Sequence, residues 1–175
     1  WQTGKVKVIK TNENGEALSD VVFGVYADKA CTELITKIPT NDEGSGTSSA
    51  LDVGTTGSKT VYVKEISITA EQQKLYSMNG TVYPVTISAG KTVTVNSGKP
   101  VINNWLPGKL SVTKVNSAGA YLSGAQFTAY TDKECTDILK DTAGNAVVIT
   151  TDKNGYAVSS NIYVGKSGSR TVRSE

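Results

Sequence analysis

The chain of 175 residues contains no histidine, only two cysteines and a single methionine. The lack of histidine excludes the common catalytic triads and dyads that use a histidine base. A zinc site is not indicated either, because histidine is missing and the two cysteines do not have the spacing of zinc ligands. We therefore expect neither a metal nor another cofactor. No stretch has the length and apolar character of a transmembrane span, so we expect no membrane insertion in this segment.

Long alanine-rich or leucine-rich amphipathic runs are also missing. Valine, threonine, serine, tyrosine and glycine dominate instead, which predicts an all-β fold. The 18 basic and 16 acidic residues are interspersed and give a net charge of +2, so no basic surface for nucleic acid is indicated. The chain opens directly on a strand pattern without a signal peptide, and we expect it to be a piece of a longer protein.

The strongest feature of the sequence is an internal repeat. A shift of 104 positions aligns WQTGKVKVIK with WLPGKLSVTK, and VYADKACTEL with AYTDKECTDI, without a gap. The aligned pairs include Trp1 with Trp105, Lys10 with Lys114, Phe23 with Phe127, and Cys31 with Cys135. Further along, TNDEGSG matches TTDKNGY after a slip of several residues, and both are turn signals. The repeat predicts two domains, residues 1–105 and 106–175.

The first strand of each domain carries a lysine where the two-residue alternation requires an apolar side chain. Lys10 shares a face with Val6 and Val8, and Lys114 holds the same place in the second domain. A buried ammonium costs several kcal/mol unless it is paired, neutralised or chemically changed. For either strand alone, a lysine at a strand end that reaches water remains the alternative.

Two further polar residues of the first domain fall on inward positions. In SKTVYVKEI, Glu65 faces the same way as Val61 and Val63, and in KPVINNW, Asn103 shares a face with Val101. One domain therefore offers a lysine, a glutamate and an asparagine on core-facing positions of three strands. Explaining each as a loose strand end would require three coincidences.

These motifs occur in the order G-K-V-x-V-x-K, L-x-x-x-x-F-x-x-Y, Y-V-K-E and V-x-N-x-W-x-x-G. That order resembles the CnaB or SpaA-type domains of Gram-positive surface adhesins and pilins. The resemblance implies two tandem immunoglobulin-like β-sandwich domains. It also implies a spontaneous isopeptide bond between Lys10 and Asn103, with Glu65 as the proton shuttle. Asn104 is the alternative acceptor, and Asn103 is preferred because it shares its face with Val101.

The proposed bond has a chemical rationale of its own. Desolvation lowers the pKa of a lysine, so burial makes Lys10 a nucleophile. Desolvation also raises a carboxyl pKa, so Glu65 can donate a proton to the amide oxygen of Asn103 and then relay one to the departing ammonia. The reaction runs once per molecule, so we expect no turnover enzyme.

The resemblance also implies a location and partners. We expect an extracellular, cell-wall-anchored stalk or pilin segment on a Gram-positive bacterium. Its partners are neighbouring repeats of the same protein and other pilin subunits. The alternative is an adhesive module that binds a host protein or glycan, with Tyr62, Tyr76 and Tyr83 as exposed candidates.

The second domain departs from this pattern. Lys114 is present, and RTVRSE resembles the glutamate strand with Glu175 in the shuttle position. No segment with a closing asparagine follows, so the second domain is predicted to lack its closing strands. Further residues or a strand from another chain would fill the gap. Cys31 and Cys135 occupy equivalent loops, where a semi-buried thiol is the simplest interpretation and a disulfide between molecules is the alternative.

Overall fold

A computed structural model describes residues 2–165 and 169–174 of the chain. The chain divides into two compact units, Trp1–Asn104 and Trp105–Glu175. The described residues form β-strands and loops, apart from a four-residue α-helix (α1, Ala70–Gln73) and a 3-10 turn at Asn96–Gly98. The all-β prediction is therefore confirmed. The interpretation of the two units as tandem domains, the second lacking closing strands, stays a prediction.

The first unit contains two sheets. Its strands are β1 (Thr3–Asn12), β2 (Val22–Tyr26), β3 (Leu34–Pro39), β4 (Ser45–Thr47), β5 (Leu51–Asp52), β6 (Ser58–Ser67), β7 (Tyr83–Ser88), β8 (Thr92–Thr94) and β9 (Val101–Asn103). One sheet is antiparallel in the order β3-β2-β6-β7. The other is centred on β1, which pairs antiparallel with β4 and β5 and parallel with β8 and β9. The strand near the start of the unit thus lies beside the strand that closes it.

Both sheets of the first unit contribute side chains to one core. Along β1 the burial alternates strictly, so that Val6, Val8 and Lys10 are buried while Lys5 is exposed. The fully buried apolar residues are Val6, Val8, Val21, Phe23, Val25, Ile38, Val61, Val63 and Ile87. This two-residue period is what places a polar side chain in the core whenever it falls on the inward face of β1, β6 or β9.

The second unit has shorter strands and a smaller core. Its strands are β10 (Pro107–Gly108), β11 (Ser111–Thr113), β12 (Gln126–Tyr130), β13 (Val148–Thr150), β14 (Tyr156–Val158), β15 (Ile162–Tyr163) and β16 (Arg173–Ser174). They pair as β10-β15, β11-β14 and β13-β12-β16. The buried cluster consists of Ala129, Leu139, Val147 and Ile162.

The two units repeat the same local backbone geometry. The backbone N–H of Lys10 donates to Gly44 O, and that of Lys114 donates to Gly155 O, both at 2.7 Å. Both glycines have positive φ, +70° for Gly44 and +66° for Gly155, a region that favours glycine. A Cβ at either position would collide with the carbonyl oxygen of the lysine. The turns NDEG and DKNG therefore hold each lysine strand by equivalent contacts.

No helix among residues 2–165 and 169–174 is long and apolar enough to cross a bilayer.

Candidate functional site

Three buried polar side chains occupy the core of the first unit at the predicted positions. Lys10 is 0% exposed, Glu65 4% and Asn103 1%. They project from β1, β6 and β9, so both sheets contribute. The Asn103 Nδ2 donates a hydrogen bond of 2.6 Å to Glu65 Oε1. The predicted burial of all three side chains is confirmed, whereas their chemical roles stay predictions.

Strand pairing brings Lys10 to the strand that carries Asn103. In the parallel pair of β1 and β9, Lys10 lies opposite Val101. The Lys10 Nζ donates to Val101 O at 3.0 Å and to Thr11 O at 2.9 Å. Because Val101 and Asn103 are two residues apart, their side chains share a face. The lysine nitrogen therefore lies against the strand whose inward face carries the carboxamide.

The buried setting shifts the pKa of both ionisable groups. Burial lowers the pKa of Lys10 from 10.5 to about 8, while the nearby charge of Glu65 acts in the opposite direction. Burial raises the pKa of Glu65, against the effects of the Asn103 hydrogen bond and the Lys10 charge. The two pKa values thus move towards each other, which lowers the free-energy cost of passing a proton from the ammonium to the carboxylate.

The carboxamide of Asn103 has one satisfied and one unsatisfied atom. Its nitrogen contacts Glu65, whereas its Oδ1 is buried and has no hydrogen-bond partner within the described part of the chain. Buried polar atoms without a partner are rare in folded proteins. Glu65 therefore contacts the leaving nitrogen of the proposed reaction, and not the amide oxygen considered in the sequence analysis.

The two neighbouring asparagines have different environments. Asn103 is buried in the site, whereas Asn104 is exposed. The backbone carbonyl of Asn104 accepts a hydrogen bond from the N–H of Ser77 at 3.0 Å. The geometry favours Asn103 as the acceptor and provides no comparable contact to Lys10 or Glu65 for the Asn104 side chain.

The loop after α1 contributes a residue that the sequence analysis did not identify. The backbone N–H of Asn79 donates to Glu65 Oε2 at 3.2 Å, and its Nδ2 donates to Ile102 O at 3.1 Å. The available sequence signal was an Asn-Gly pair, Asn79–Gly80, which indicates a turn and nothing about a site.

The prediction that Tyr76 is exposed is wrong. Tyr76 is 8% exposed, and its hydroxyl accepts a hydrogen bond of 3.3 Å from Asn12 Nδ2. Tyr62 and Tyr83 are half-buried. The expectation failed because Tyr76 lies in an irregular segment, where no strand alternation indicates which side chains face inward.

The expected burial of Lys114 is also wrong, because this side chain is exposed. Among the described residues, β11 pairs with β14, whereas β1 has four partner strands. The parallel strands that cover Lys10 in the first unit have no counterpart beside Lys114 in the described residues. Similar sequence around the two lysines therefore leaves one side chain buried in the first unit and the other exposed in the second.

Glu175 lies outside the described residues, so its role stays a prediction. Arg173 occupies in β16 the register position that Tyr62 occupies in β6, since they pair with equivalent tyrosines of β12 and β2.

The remaining candidate features are metal-type clusters and the two cysteines. No group of three or more carboxylate or thiol side chains suited to a metal ion occurs within residues 2–165 and 169–174. Cys31 and Cys135 are both half-buried thiols with positive φ, 55° and 54°, in equivalent loops. Their matching geometry supports the repeat.

Comparison with known proteins identifies the fold. No protein-family model and no curated protein sequence matches the chain. The solved structure of the Bacillus anthracis TIE protein is similar, with a TM-score of 0.54 and 23% identity over 99% of this chain and 31% of that one. BcpA, the major pilin subunit of Bacillus cereus, has a TM-score of 0.54 and 15% identity over 92% of this chain and 53% of that one. The chain thus spans about a third and about half of these proteins, and it has a pilin-type fold.

Proposed function

From this pilin-type fold and its buried polar residues, we propose that the chain is a structural stalk or pilin segment of an extracellular, cell-wall-anchored Gram-positive surface protein. Its first unit is stabilised by an isopeptide bond between Lys10 and Asn103. The observation that carries the proposal is the complete burial of Lys10, which makes no ion pair with any described residue. A buried ammonium without a close ion pair is costly even when two carbonyl oxygens accept from it, and an amide removes that cost.

The reaction follows from the arrangement of the three side chains. The Glu65 carboxylate takes a proton from the Lys10 ammonium, and the neutral Nζ attacks Cγ of Asn103 to form a new C–N bond. Glu65 in its neutral form supplies a proton to the departing nitrogen, which it already contacts at 2.6 Å. The bond from Cγ to Nδ2 breaks and ammonia leaves. The Glu65 carboxylate then takes the second proton from Nζ, which leaves a neutral amide and a neutral Glu65.

Proximity provides much of the acceleration. The folded unit holds the amine and the carboxamide on adjacent strands, so a bimolecular encounter becomes intramolecular, with effective molarities of about 10⁵ M or more for well-oriented groups. The reaction runs once and regenerates no free site, so the chain is not a turnover enzyme.

The bond would have a mechanical function. It joins β1 to β9 and closes nearly the whole first unit into one covalent loop. In the chain-entropy model of crosslinks, closing a loop of about a hundred residues stabilises the fold by about 4 to 5 kcal/mol. Unlike a disulfide, an amide resists reduction. Neighbouring repeats and other pilin subunits are the partners that such a segment requires.

Mass spectrometry tests the proposal. The intact protein should be lighter than its sequence mass by one ammonia, and proteolysis should release a branched peptide joining the segments around Lys10 and Asn103. Replacing Lys10 by Ala should restore the full sequence mass. A wild-type chain of full sequence mass would refute the bond and would favour the alternative of an adhesive module, whose signature is saturable binding to a host ligand.

A further inference from the structure

We infer that Asn79 is a positioning residue for the crosslinking reaction, because it ties the strand of the glutamate to the strand of the asparagine. This inference rests on the proposed function. Asn79 lies in the loop between α1 and β7, outside the sheets that supply the three reacting groups. It is half-buried and reaches both sides of the site.

Two contacts of Asn79 hold the reacting groups. Its backbone N–H donates to Glu65 Oε2 at 3.2 Å, which leaves Oε1 directed at the carboxamide of Asn103. Its side-chain Nδ2 donates to the carbonyl of Ile102 at 3.1 Å, one residue before Asn103. Glu65 on β6 and Asn103 on β9 are therefore both fixed by one loop residue.

The segment that leads into Asn79 is itself anchored. The Gln72 side chain of α1 donates to Ser19 O at 2.8 Å, and the backbone N–H of Ser77 donates to Asn104 O at 3.0 Å. The Tyr76 hydroxyl accepts from Asn12, which lies opposite Asn103 in the pair of β1 and β9. A residue held in this way can transmit position, because the segment before it is restrained by contacts to β1 and to the residue that follows β9.

A third contact separates this role from that of an ordinary turn residue. The Asn79 Oδ1 accepts the backbone N–H of Thr81 at 2.9 Å, which shapes the local turn. Aspartate can make the same contact, since its carboxylate is also an acceptor, but it cannot donate to Ile102 O. The Asn79→Asp variant therefore keeps the turn and loses the link to β9, whereas Asn79→Ala loses both.

The experiment follows crosslinking in the full chain. Unreacted protein kept in denaturant is diluted into buffer, and the loss of ammonia is measured against time by intact mass. Both Asn79→Ala and Asn79→Asp should slow the reaction by about tenfold, as expected for one lost hydrogen bond in a reacting geometry. Met78→Ala is the matched control, because Met78 lies exposed in the same loop, and its rate should stay within about twofold of wild type.

The pH profile distinguishes positioning from a loss of stability. Glu65 faces Lys10 of β1 as its charged neighbour, with uncharged Phe23, Asn103 and Asn79 on the other sides. In the reactive form Glu65 is protonated and Lys10 is neutral, so the pair holds one proton fewer than in acid, where both groups are protonated. The acidic side of the plot of crosslinking rate against pH, its acid limb, therefore reports the first proton that the pair loses. The Asn79 N–H lowers the pKa of Glu65, so releasing the loop should move this limb to higher pH.

Each outcome of the experiment is informative. Slowing in both variants with a shifted acid limb supports the inference. Slowing in Asn79→Ala alone would identify a turn residue and overturn it, and slowing in Asn79→Asp alone would indicate a charge effect and overturn it as well. Equal slowing with an unmoved limb would mean a purely structural role, again against the inference. If wild type itself loses no ammonia, the proposed function fails instead.

Discussion

At the scale of single residues, the chemistry depends on burial and not on the presence of a lysine. Lys10 and Lys114 occupy equivalent strands and donate the same backbone hydrogen bond to a turn glycine. Lys10 is fully buried, whereas Lys114 is exposed. Since desolvation lowers an amine pKa, the burial supports Lys10, and not Lys114, as the proposed nucleophile. The covering strands, and not the local sequence, make this difference.

Replacing Glu65 by Gln tests its role as the proton shuttle. The glutamine fills nearly the same volume but cannot donate and recover a proton, so crosslinking should slow by about 10²–10⁴-fold. The rate is measured from the mass of the intact protein during refolding. Glu71→Gln is the control, because Glu71 is 83% exposed on α1 and should leave the rate unchanged. Rapid and complete crosslinking of Glu65→Gln would remove the proposed acid role.

Stability before crosslinking should depend on pH through Lys10. In an Asn103→Ala variant, which cannot form the bond, the folded pKa is about 8 and the unfolded pKa 10.5. Between these values the unfolded state binds more protons, so the free energy of unfolding should rise with pH, by about 3 kcal/mol in total. Glu65 has the opposite sign, because its raised pKa makes stability fall as pH increases above 4.5.

Urea unfolding at several pH values checks this expectation. The double variant Lys10→Met with Asn103→Ala is the control, since tyrosines and other lysines titrate in the same range but are shared by both proteins. The difference in the free energy of unfolding between the two variants at each pH therefore reports the titration of Lys10 alone. If the free energy of unfolding changed with pH equally in the two variants between pH 8 and 10.5, the assigned burial of the Lys10 ammonium would be contradicted.

At the scale of elements, regular strands were predictable from the sequence and the loop over the site was not. The two-residue alternation correctly placed Lys10, Glu65 and Asn103 inward, because a half-buried strand repeats with its pleat. It failed for Lys114, whose cover depends on strands distant in sequence. It offered nothing for Asn79 or for Tyr76, since an irregular segment has no period.

Strand pairing also needed the structure. The parallel placement of β9 beside β1, with Lys10 opposite Val101, follows from the whole topology and from no local pattern. The same holds for the contact between Glu65 and the nitrogen of Asn103. Residue types and facing directions could be read from the sequence, whereas partner strands and atom-level contacts required long-range folding.

The helix α1 should be sensitive to its N-cap although it has only four residues. The Thr69 hydroxyl accepts the N–H of Gln72 at 3.1 Å, and the Gln72 side chain accepts the N–H of Thr69 at 3.0 Å, which forms a capping box. Thr69→Ala should lower the free energy of unfolding by about 1 kcal/mol. Urea unfolding in the Asn103→Ala background measures this without the crosslink. Thr81→Ala is the control, because Thr81 is exposed in the following loop, and it should change the free energy of unfolding by less than about 0.5 kcal/mol. An equal loss of stability in Thr69→Ala and Thr81→Ala would contradict a specific role of the cap.

At the scale of the whole molecule, the position of the proposed bond matters more than its strength. The first and last strands of the first unit run parallel as neighbours, so force applied at the two ends of the unit shears β1 against β9. Hydrogen bonds alone would resist this load only until the pair slips. A covalent link between these two strands would carry the load directly and leave residues 11–102 outside the path of force.

Single-molecule stretching of the full chain, held at its two termini, tests this load path. In the wild type the first unit should not extend, because the bond between Lys10 and Asn103 bypasses the intervening residues. In Lys10→Ala the same unit should unfold and add roughly 300 Å of contour length, at about 3.3 to 3.6 Å for each released residue. Lys5→Ala is the matched control, since Lys5 lies exposed on the same strand and should behave as wild type. A wild-type chain that extends as far as Lys10→Ala would show that the first and last strands are not joined, and the stalk would then depend on sheet hydrogen bonds alone.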